Sequence, residues 1–582
     1  MATPRSMGAI APDTKGQNFF TNDRAIQDLT RLYLDDALCG AVWPQLEVLG
    51  HRVANDLDDH AMLANRHAPV LHPRDKYGRD RQWIEYHASY RALEQAAFGD
   101  FGLHSMSHRP TLANWDQPLP VFAKHLFTFL FNQAEFGLGC PINVTDSTAH
   151  VIRLFGSEAL KQKLLPRLLS TDLDELWQGA QFITEQAGGS DVGQVTTRAV
   201  LEQGEWRLYG DKWFCSNADA DIAMILARPD GAAEGTRGLA LFAMPRKLEN
   251  GDPNRIRIVR LKDKFGTRSM ASGELRMDGA SAYLVGEENE GLKQMLEMIN
   301  WSRLSNGVKS SALMRRALHD AITVMKHRVV FGKTLIEMPL ARRQLLKLRL
   351  ASEQSMSMWA FVANQLDLIE RGGIGSNAAR SIVRLATPIL KMRCTRDARQ
   401  VCGDAMEVRG GCGYVEDFVN PRLVRDAHLG SIWEGTSNII SIDAVRRAIH
   451  QNSCLRPLIA ALQERLEDVE SVAPSIASEL REWLGRTEDA AIAVAERDEE
   501  AQFRNITTAL YHICSAILMA WEGVGIASRS GDASRLLWAR LALDHKVVTN
   551  DPLNPAPERS ELCDCLMKEE SVEISRARDL IT

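Results

Sequence analysis

The apolar period of this chain changes twice, and those two changes limit what it can fold into. From about 31 to 175, apolar residues recur at three- and four-residue spacing in LTRLYLDDALCGAVWPQLEVLGHRVAND, QWIEYHASYRALEQAAFG and the shorter KHLFTFLFNQAEFG, a helical pattern. Near 177 the texture becomes short β-branched or aromatic runs broken by glycine and aspartate, such as GAQFITEQAGGSDVG, TTRAVLEQGEWRLYGDKWF, DIAMILARP and GLALFAMP. These predict strands and hairpins through about 290. From 291 long amphipathic helices return, with RGGIGSN as a glycine-marked turn between two of them. Helices, strands and helices in separate blocks predict an α+β fold and not alternating βαβ units. The expected division is an arm and α-helical domain at 1–176 (1–30 polar and partly irregular), a β-sheet domain at 177–290, an α-helical domain at 291–450 and an additional helical domain at 451–582.

Charge narrows the partners. Residues 451–582 hold 14 Lys+Arg and 23 Asp+Glu, a balance of −9, while the preceding 450 hold 55 and 52. Duplex nucleic acid is bound by clustered cations that displace counterions, so nucleic acid is not an expected partner. The first residues carry no apolar signal segment, and no stretch of about 18 uncharged apolar residues is found, so no membrane span is expected. Ten cysteines without a C-x-x-C pair suit reduced thiols in a cytoplasmic protein.

Three stretches carry candidate chemistry. In FITEQAGGSDVG (182–193), glycines and a serine after a strand can offer N–H groups and a hydroxyl to an anion, or can be a plain loop. In DKWFCSNA (211–218), adjacent aromatics on a strand face opposite ways, so one can pack in the core while the other covers a planar ligand. A core pair at a hairpin is the alternative. In EVRGGCGYVEDFVNPRLVRDAHLGSIWEGTSN (407–438), Glu434 lies among bulky apolar groups. Desolvation raises a carboxylate toward the range of a general base. A helix-N-terminal glutamate favoured by the dipole is the other reading.

The blocks TE-x-x-GGSD, G-x-KWF-x-SN, K-x-G-x-R-x-S, F-G-K, GG-x-GY and WEGTSN, in this order from about 100 to 450, resemble the acyl-CoA dehydrogenase family. LHPRDKYGRDRQWIEYHASYRAL and the tryptophan before the glutamate resemble its AidB-type (alkylation-response) branch. The resemblance implies an α-helical domain, a small β domain and a second α-helical domain, with FAD as cofactor. It implies that Phe182, Ile183 and Thr184 line the flavin and that Ser190 reaches the pyrophosphate or the CoA arm. Phe214 takes the place of a tryptophan against the flavin, and Ser216 that of a threonine beside N5. Arg328 and Phe331 match residues that contact the ADP half of FAD from a neighbouring subunit, and Gly410 and Gly411 approach that same cofactor. Glu407 stands where a glutamine is common and Val330 where a threonine is, both at those inter-subunit contacts. Thr436 and Asn438 match residues near the adenine-side phosphate.

Glu434 matches the family's catalytic base, which takes the α-proton of an acyl-CoA while a hydride leaves the β-carbon for flavin N5. The thioester oxyanion is held there by the glutamate's own N–H and a ribityl hydroxyl. Some branches carry the base just before the arginine matched by Arg303; this chain has Ser302 there. Ser190, Ser302, Arg303, Trp433 and Gly435 are the implied substrate contacts. A long or branched acyl-CoA, an electron-transfer flavoprotein as acceptor and a homodimer or homotetramer complete the expectation. The alternative is an AidB-like DNA-associated protection flavoprotein with weak dehydrogenase activity, and the acidic C-terminal segment weighs against it.

Overall fold

The computed structural model describes residues 10–373, 375–548 and 559–582, so the first nine residues of the arm and Ile374 of the RGGIGSN turn lie outside the described residues. Helices α1 (Arg24–Tyr33), α2 (Asp36–Ala54) and α3 (Asp56–Arg66) lead into a hairpin of β1 (Val70–Arg74) and β2 (Asp80–Glu85). Helices α4 (Ala88–Glu94), α5 (Val121–Ala134), α6 (Gly139–Phe155) and α7 (Glu158–Leu168) follow. Strands β3 (Gly179–Phe182), β4 (Arg198–Glu202), β5 (Glu205–Ser216), β6 (Ile222–Pro229), β7 (Ala240–Pro245), β8 (Ile256–Leu261) and β9 (Ser272–Val285) form the sheet region. Next come α8 (Gly291–His327), a small hairpin of β10 (Val329–Val330) and β11 (Lys333–Thr334), α9 (Pro339–Arg371), α10 (Ser376–Arg409), α11 (Asn420–Gly430) and α12 (Ser437–Ile442). Helices α13 (Leu455–Val472), α14 (Pro474–Glu496), α15 (Phe503–Ser530), α16 (Ser534–Ala542), α17 (Ser560–Lys568) and α18 (Ile574–Ile581) come last. The fold is α+β, in the helix–strand–helix order that the periodicity predicts.

The chain divides into two compact units, each built from separated segments. One comprises Met1–Ala54, Pro120–Gln133 and Asn306–Thr582; the other comprises Asn55–Leu119 and Ala134–Ser305.

The second unit holds the sheet. Its strands pair in the order β6, β4, β5, β9, β7, and β7 pairs back with β6, which closes the ring. Strand β3 adds parallel to β6 and β8 adds antiparallel to β9. Closure removes most free strand edges. The interior is filled by alternate residues of these strands, among them Phe182, Leu208, Ile225, Phe242 and Leu275.

One sequence expectation is corrected in this unit. QWIE reads as the start of a helix, yet Gln82–Glu85 belong to β2, paired with β1 from Val70↔Glu85. Gly78 turns the hairpin at φ +79°. The hairpin is pinned by barrel contacts that no local period encodes. Ile84 enters the barrel core, and the Ile258 N–H donates to Gln82 Oε1 at 2.7 Å.

The first unit is helical, built on α9 and α10. The helices beyond 450 pack on them through polar as well as apolar contacts. Gln354 of α9 donates to Ser515 of α15 at 2.8 Å, and Arg535 bridges Glu353 and Glu522, both at 2.9 Å. The stretch Glu500–Ser530 is long and apolar enough to cross a membrane by length and composition, which the sequence reading did not register. In the structure 78% of its most apolar window is buried, so α15 is a core helix of this unit. Residues 10–23 of the arm are irregular, as expected, yet Phe19 and Phe20 there are fully buried and Phe19 stacks on His319 at 4.7 Å.

Candidate active site

In the barrel unit, strand β3 runs into the loop that carries Ile183, Thr184 and Glu185. Strand alternation puts Phe182 inside the barrel, only 2% exposed, so its ring packs in the core and not on the outer surface. Its neighbour Gln181 faces the other way, with Oε1 buried and lacking a hydrogen-bond partner. Ile183 and Thr184 are half-buried, and Ser190 is exposed in the glycine-rich turn.

The β5 strand carries a bulge at the aromatic pair. Between Lys212 and Cys215 its register against β9 shifts, so three steps on β5 face two on β9. The extra residue lets Lys212 and Cys215 both point inward and turns Trp213 and Phe214 out of the barrel. The expectation that one ring fills the core is therefore not met. Phe214 is 56% exposed, its ring lies 6.4 Å from that of Trp213, and the Lys262 ammonium sits 3.8 Å from the Trp213 ring centroid. Ser216 closes the strand, half-buried.

Loop and bulge are locked together. The Trp213 N–H donates to the Thr184 carbonyl at 2.8 Å. Beneath it, Glu185 and Lys212 form a buried ion pair at 2.6 Å. Thr196 and Thr197 give Glu185 their hydroxyls at 2.6 and 2.5 Å and their N–H groups at 2.7 and 3.2 Å. Burial alone would raise the Glu185 carboxyl, but the ammonium and these donors outweigh it and hold it at about 2. This unit also holds Ser302, fully buried and accepting from Asn143 Nδ2 at 2.8 Å, and Arg303, whose guanidinium donates to Asn300 at 3.3 Å.

In the helical unit, α11 ends at Gly430 and the chain turns through Ile432–Thr436 into α12. Glu434 has φ +56° and Gly435 φ +102°, two left-handed residues in succession. A glutamate there is strained by about 1–2 kcal/mol. Two ammonium-to-carbonyl bonds offset that cost. Lys391 of α10, 1% exposed, donates to the Trp433 carbonyl at 2.8 Å and to the Gly435 carbonyl at 2.6 Å. Hydrogen bonds to charged groups contribute about 1.5–3 kcal/mol each. The Lys309 ammonium lies 4.8 Å from the Trp433 ring centroid and holds the indole as well. Glu434 is half-buried, with Oε2 shielded from solvent. It stands two residues before Thr436, the N-cap of α12, and thus outside the helix's first turn. Asn438 is exposed on that first turn.

A second cluster in this unit joins Arg328, Arg409 and Gly410. Arg328 donates to the Arg409 carbonyl at 3.3 Å. Gly410 has φ +71°, and a Cβ there would lie 2.8 Å from Arg328 Nη1, so both backbone and guanidinium call for glycine. Gly411 and Glu407 are exposed beside it. Phe331 sits at the tip of the β10–β11 hairpin with φ +50° and is 98% exposed. Sequence reasoning missed Gln181, Lys212 and Lys391. Alternation along β3 was the available signal for Gln181; the two lysines act through partners distant in the chain.

Family models follow this architecture. The adaptive response protein AidB N-terminal domain matches residues 10–175, the acyl-CoA dehydrogenase middle domain 180–280, and the acyl-CoA dehydrogenase C-terminal domain 289–450. The chain is 30% identical over 555 residues to acyl-CoA dehydrogenase family member 11 of Caenorhabditis elegans, covering 92% of this chain and 88% of that protein. It is 33% identical over 440 residues to the putative acyl-CoA dehydrogenase AidB of Escherichia coli, covering 72% and 78%. The crystal structure of Caenorhabditis elegans ACDH-11 in complex with C11-CoA superposes with a TM-score of 0.81 at 27% identity, over 98% of each chain. The chain belongs to the acyl-CoA dehydrogenase family, in its AidB-type branch. It is an acyl-CoA dehydrogenase, and its cofactor is FAD.

The residues present fit that cofactor. An isoalloxazine needs an apolar face and a few donors or acceptors at its edge. The barrel unit offers the outward Phe214 ring, the hydroxyls of Thr184 and Ser216, and the unsatisfied Oε1 of Gln181.

Proposed function

We propose that this enzyme desaturates an acyl-CoA thioester between its α- and β-carbons, with Glu434 as the base. The observation that carries the reading is the strained, clamped backbone at Glu434. A left-handed glutamate persists only where its surroundings enforce it, and such strain concentrates at functional sites. Glu434 takes the α-proton, and the electron pair of that C–H bond becomes the new double bond as the β-hydrogen departs. FAD, when bound, supplies the oxidant that accepts the β-hydrogen with its electron pair. The Glu434 N–H supplies an oxyanion donor to the thioester carbonyl, which acidifies the α-proton. Ile183, Thr184, Ser190, Phe214 and Ser216 hold the cofactor. Arg328, Phe331, Glu407, Gly410 and Gly411 contact the cofactor of a neighbouring subunit in a homodimer or homotetramer, and Thr436 and Asn438 hold the adenine-side phosphate region. Ser190, Arg303, Trp433 and Gly435 face the substrate, Ser302 supports its wall through Asn143, and an electron-transfer flavoprotein reoxidises the enzyme.

The relative solved with C11-CoA supports a chain of that order or longer. Anaerobic bleaching of the yellow holoenzyme with linear acyl-CoAs from four to eighteen carbons (about two carbons apart), and with branched analogues, tests the reading. Wild type bleaches with the longer chains and Glu434→Gln does not. Bleaching by Glu434→Gln at the wild-type rate would remove the glutamate from the mechanism.

A further inference from the structure

Lys391 combines three features that its place in α10 does not require. Its ammonium is buried, and a buried charge is costly unless it is well bound. It lies 42 residues before Trp433 and 44 before Gly435 in the chain, yet donates to both of their carbonyls. Between those carbonyls lie the backbones of Glu434 and Gly435, both left-handed.

We propose that Lys391 is a positioning residue for the reaction: its ammonium holds the carbonyls on either side of Glu434 and so fixes where the base and its N–H stand. This rests on the reading of Glu434 as the base. The peptide joining Trp433 to Glu434 is trans, so its N–H points opposite to the carbonyl that Lys391 binds. A cation on that carbonyl draws charge through the peptide and makes the N–H a stronger donor. The second bond, to Gly435, holds the peptide joining Gly435 to Thr436, so the two left-handed residues between the bonded carbonyls cannot relax to a right-handed form. One ammonium therefore sets both the direction of the carboxylate and the strength of the oxyanion donor. Displacement of a catalytic group by about 1 Å costs about a hundredfold in rate, so this clamp bears on turnover more than on binding.

The test uses holoenzyme with Lys391→Met and Lys391→Gln, with Glu434→Gln alongside. Turnover is measured per bound FAD, and a 3-thia-acyl-CoA serves as probe, because its deprotonated form gives a long-wavelength charge-transfer band with oxidised flavin. Lys391→Met is expected to lower kcat about 10- to 100-fold with KM within about threefold. The pH midpoint of the band is expected to move upward, a readout that loss of folding stability alone would not shift. Lys391→Gln, which keeps a neutral donor, is expected to fall between Met and wild type, and it carries the test should Lys391→Met not fold. Unchanged kcat and band midpoint in a folded Lys391 variant, with Glu434→Gln inactive, overturns the role of the lysine alone. An active Glu434→Gln overturns the base assignment and this proposal together.

Discussion

Replacing Lys212 with methionine leaves Glu185 as a buried carboxylate with its ammonium partner gone. Glu185 keeps the two hydroxyls and two N–H groups of Thr196 and Thr197, while the Leu226 carbonyl loses the ammonium that donates to it at 3.0 Å. The folded protein holds Glu185 at about 2 against an ordinary value of 4.5: burial raises it, and the ammonium is the largest of the causes that lower it. Breaking one side of a buried pair typically costs about 3–5 kcal/mol, and the Thr196 and Thr197 donors that remain put this case at the low end. Because the folded value is depressed, this stabilisation is complete above pH 4.5 and is lost as pH falls through about 2. A chain of two units does not unfold in one step, so the effect is best read locally. Hydrogen exchange with mass spectrometry at pH 7 should show the amides of Trp213, Thr196 and Thr197 exchanging about 100- to 200-fold faster in Lys212→Met. Amides of the helical unit, such as that of Phe122, should not change. Adding Glu185→Gln should restore more than half of the protection, because the neutral amide no longer needs a cation. Unchanged exchange in Lys212→Met, or no recovery in the double variant, would refute the argument that this pair locks the Thr184 loop to the β5 bulge.

Three further outcomes are expected. Gly410→Ala places a Cβ 2.8 Å from Arg328 and forces alanine into φ +71°, so it should lose about 1–2 kcal/mol and much of its FAD, read as the flavin-to-protein ratio after gel filtration. Phe331→Ala removes a ring that is 98% exposed, so the melting temperature of FAD-free protein should move by less than about 2 °C while FAD retention falls; equal retention refutes its cofactor role. Burial lowers His104 to about 3, so it stays neutral in the folded protein while its unfolded counterpart takes up a proton near 6.5. Stability should therefore be complete above pH 6.5 and decline as pH falls toward 3, and His104→Gln should cut proton uptake on acid unfolding by up to about one per chain.

The two changes of apolar period were enough to fix the fold class and the order of its layers, because a period of 3.6 and a period of 2 bury different faces. The candidate site was legible as blocks: TE-x-x-GGSD, KWF-x-SN, GG-x-GY and WEGTSN carry residue types whose order is specific even where each block alone is ordinary. What remained hidden depends on contacts between residues far apart in the chain. QWIE reads as helix because four residues hold too little period; only pairing with β1 and the entry of Ile84 into the barrel make it a strand. The bulge at Trp213–Phe214 depends on register against β9, so the direction of Phe214 could not be read from alternation. Glu434 is visible in the sequence, but its left-handed backbone and the lysine that holds it are not. Local spacing specifies which face a side chain takes, since that follows from the geometry of one element. Which charge meets which carbonyl across 44 residues is decided only when helices pack, because that contact has no local energy to announce it.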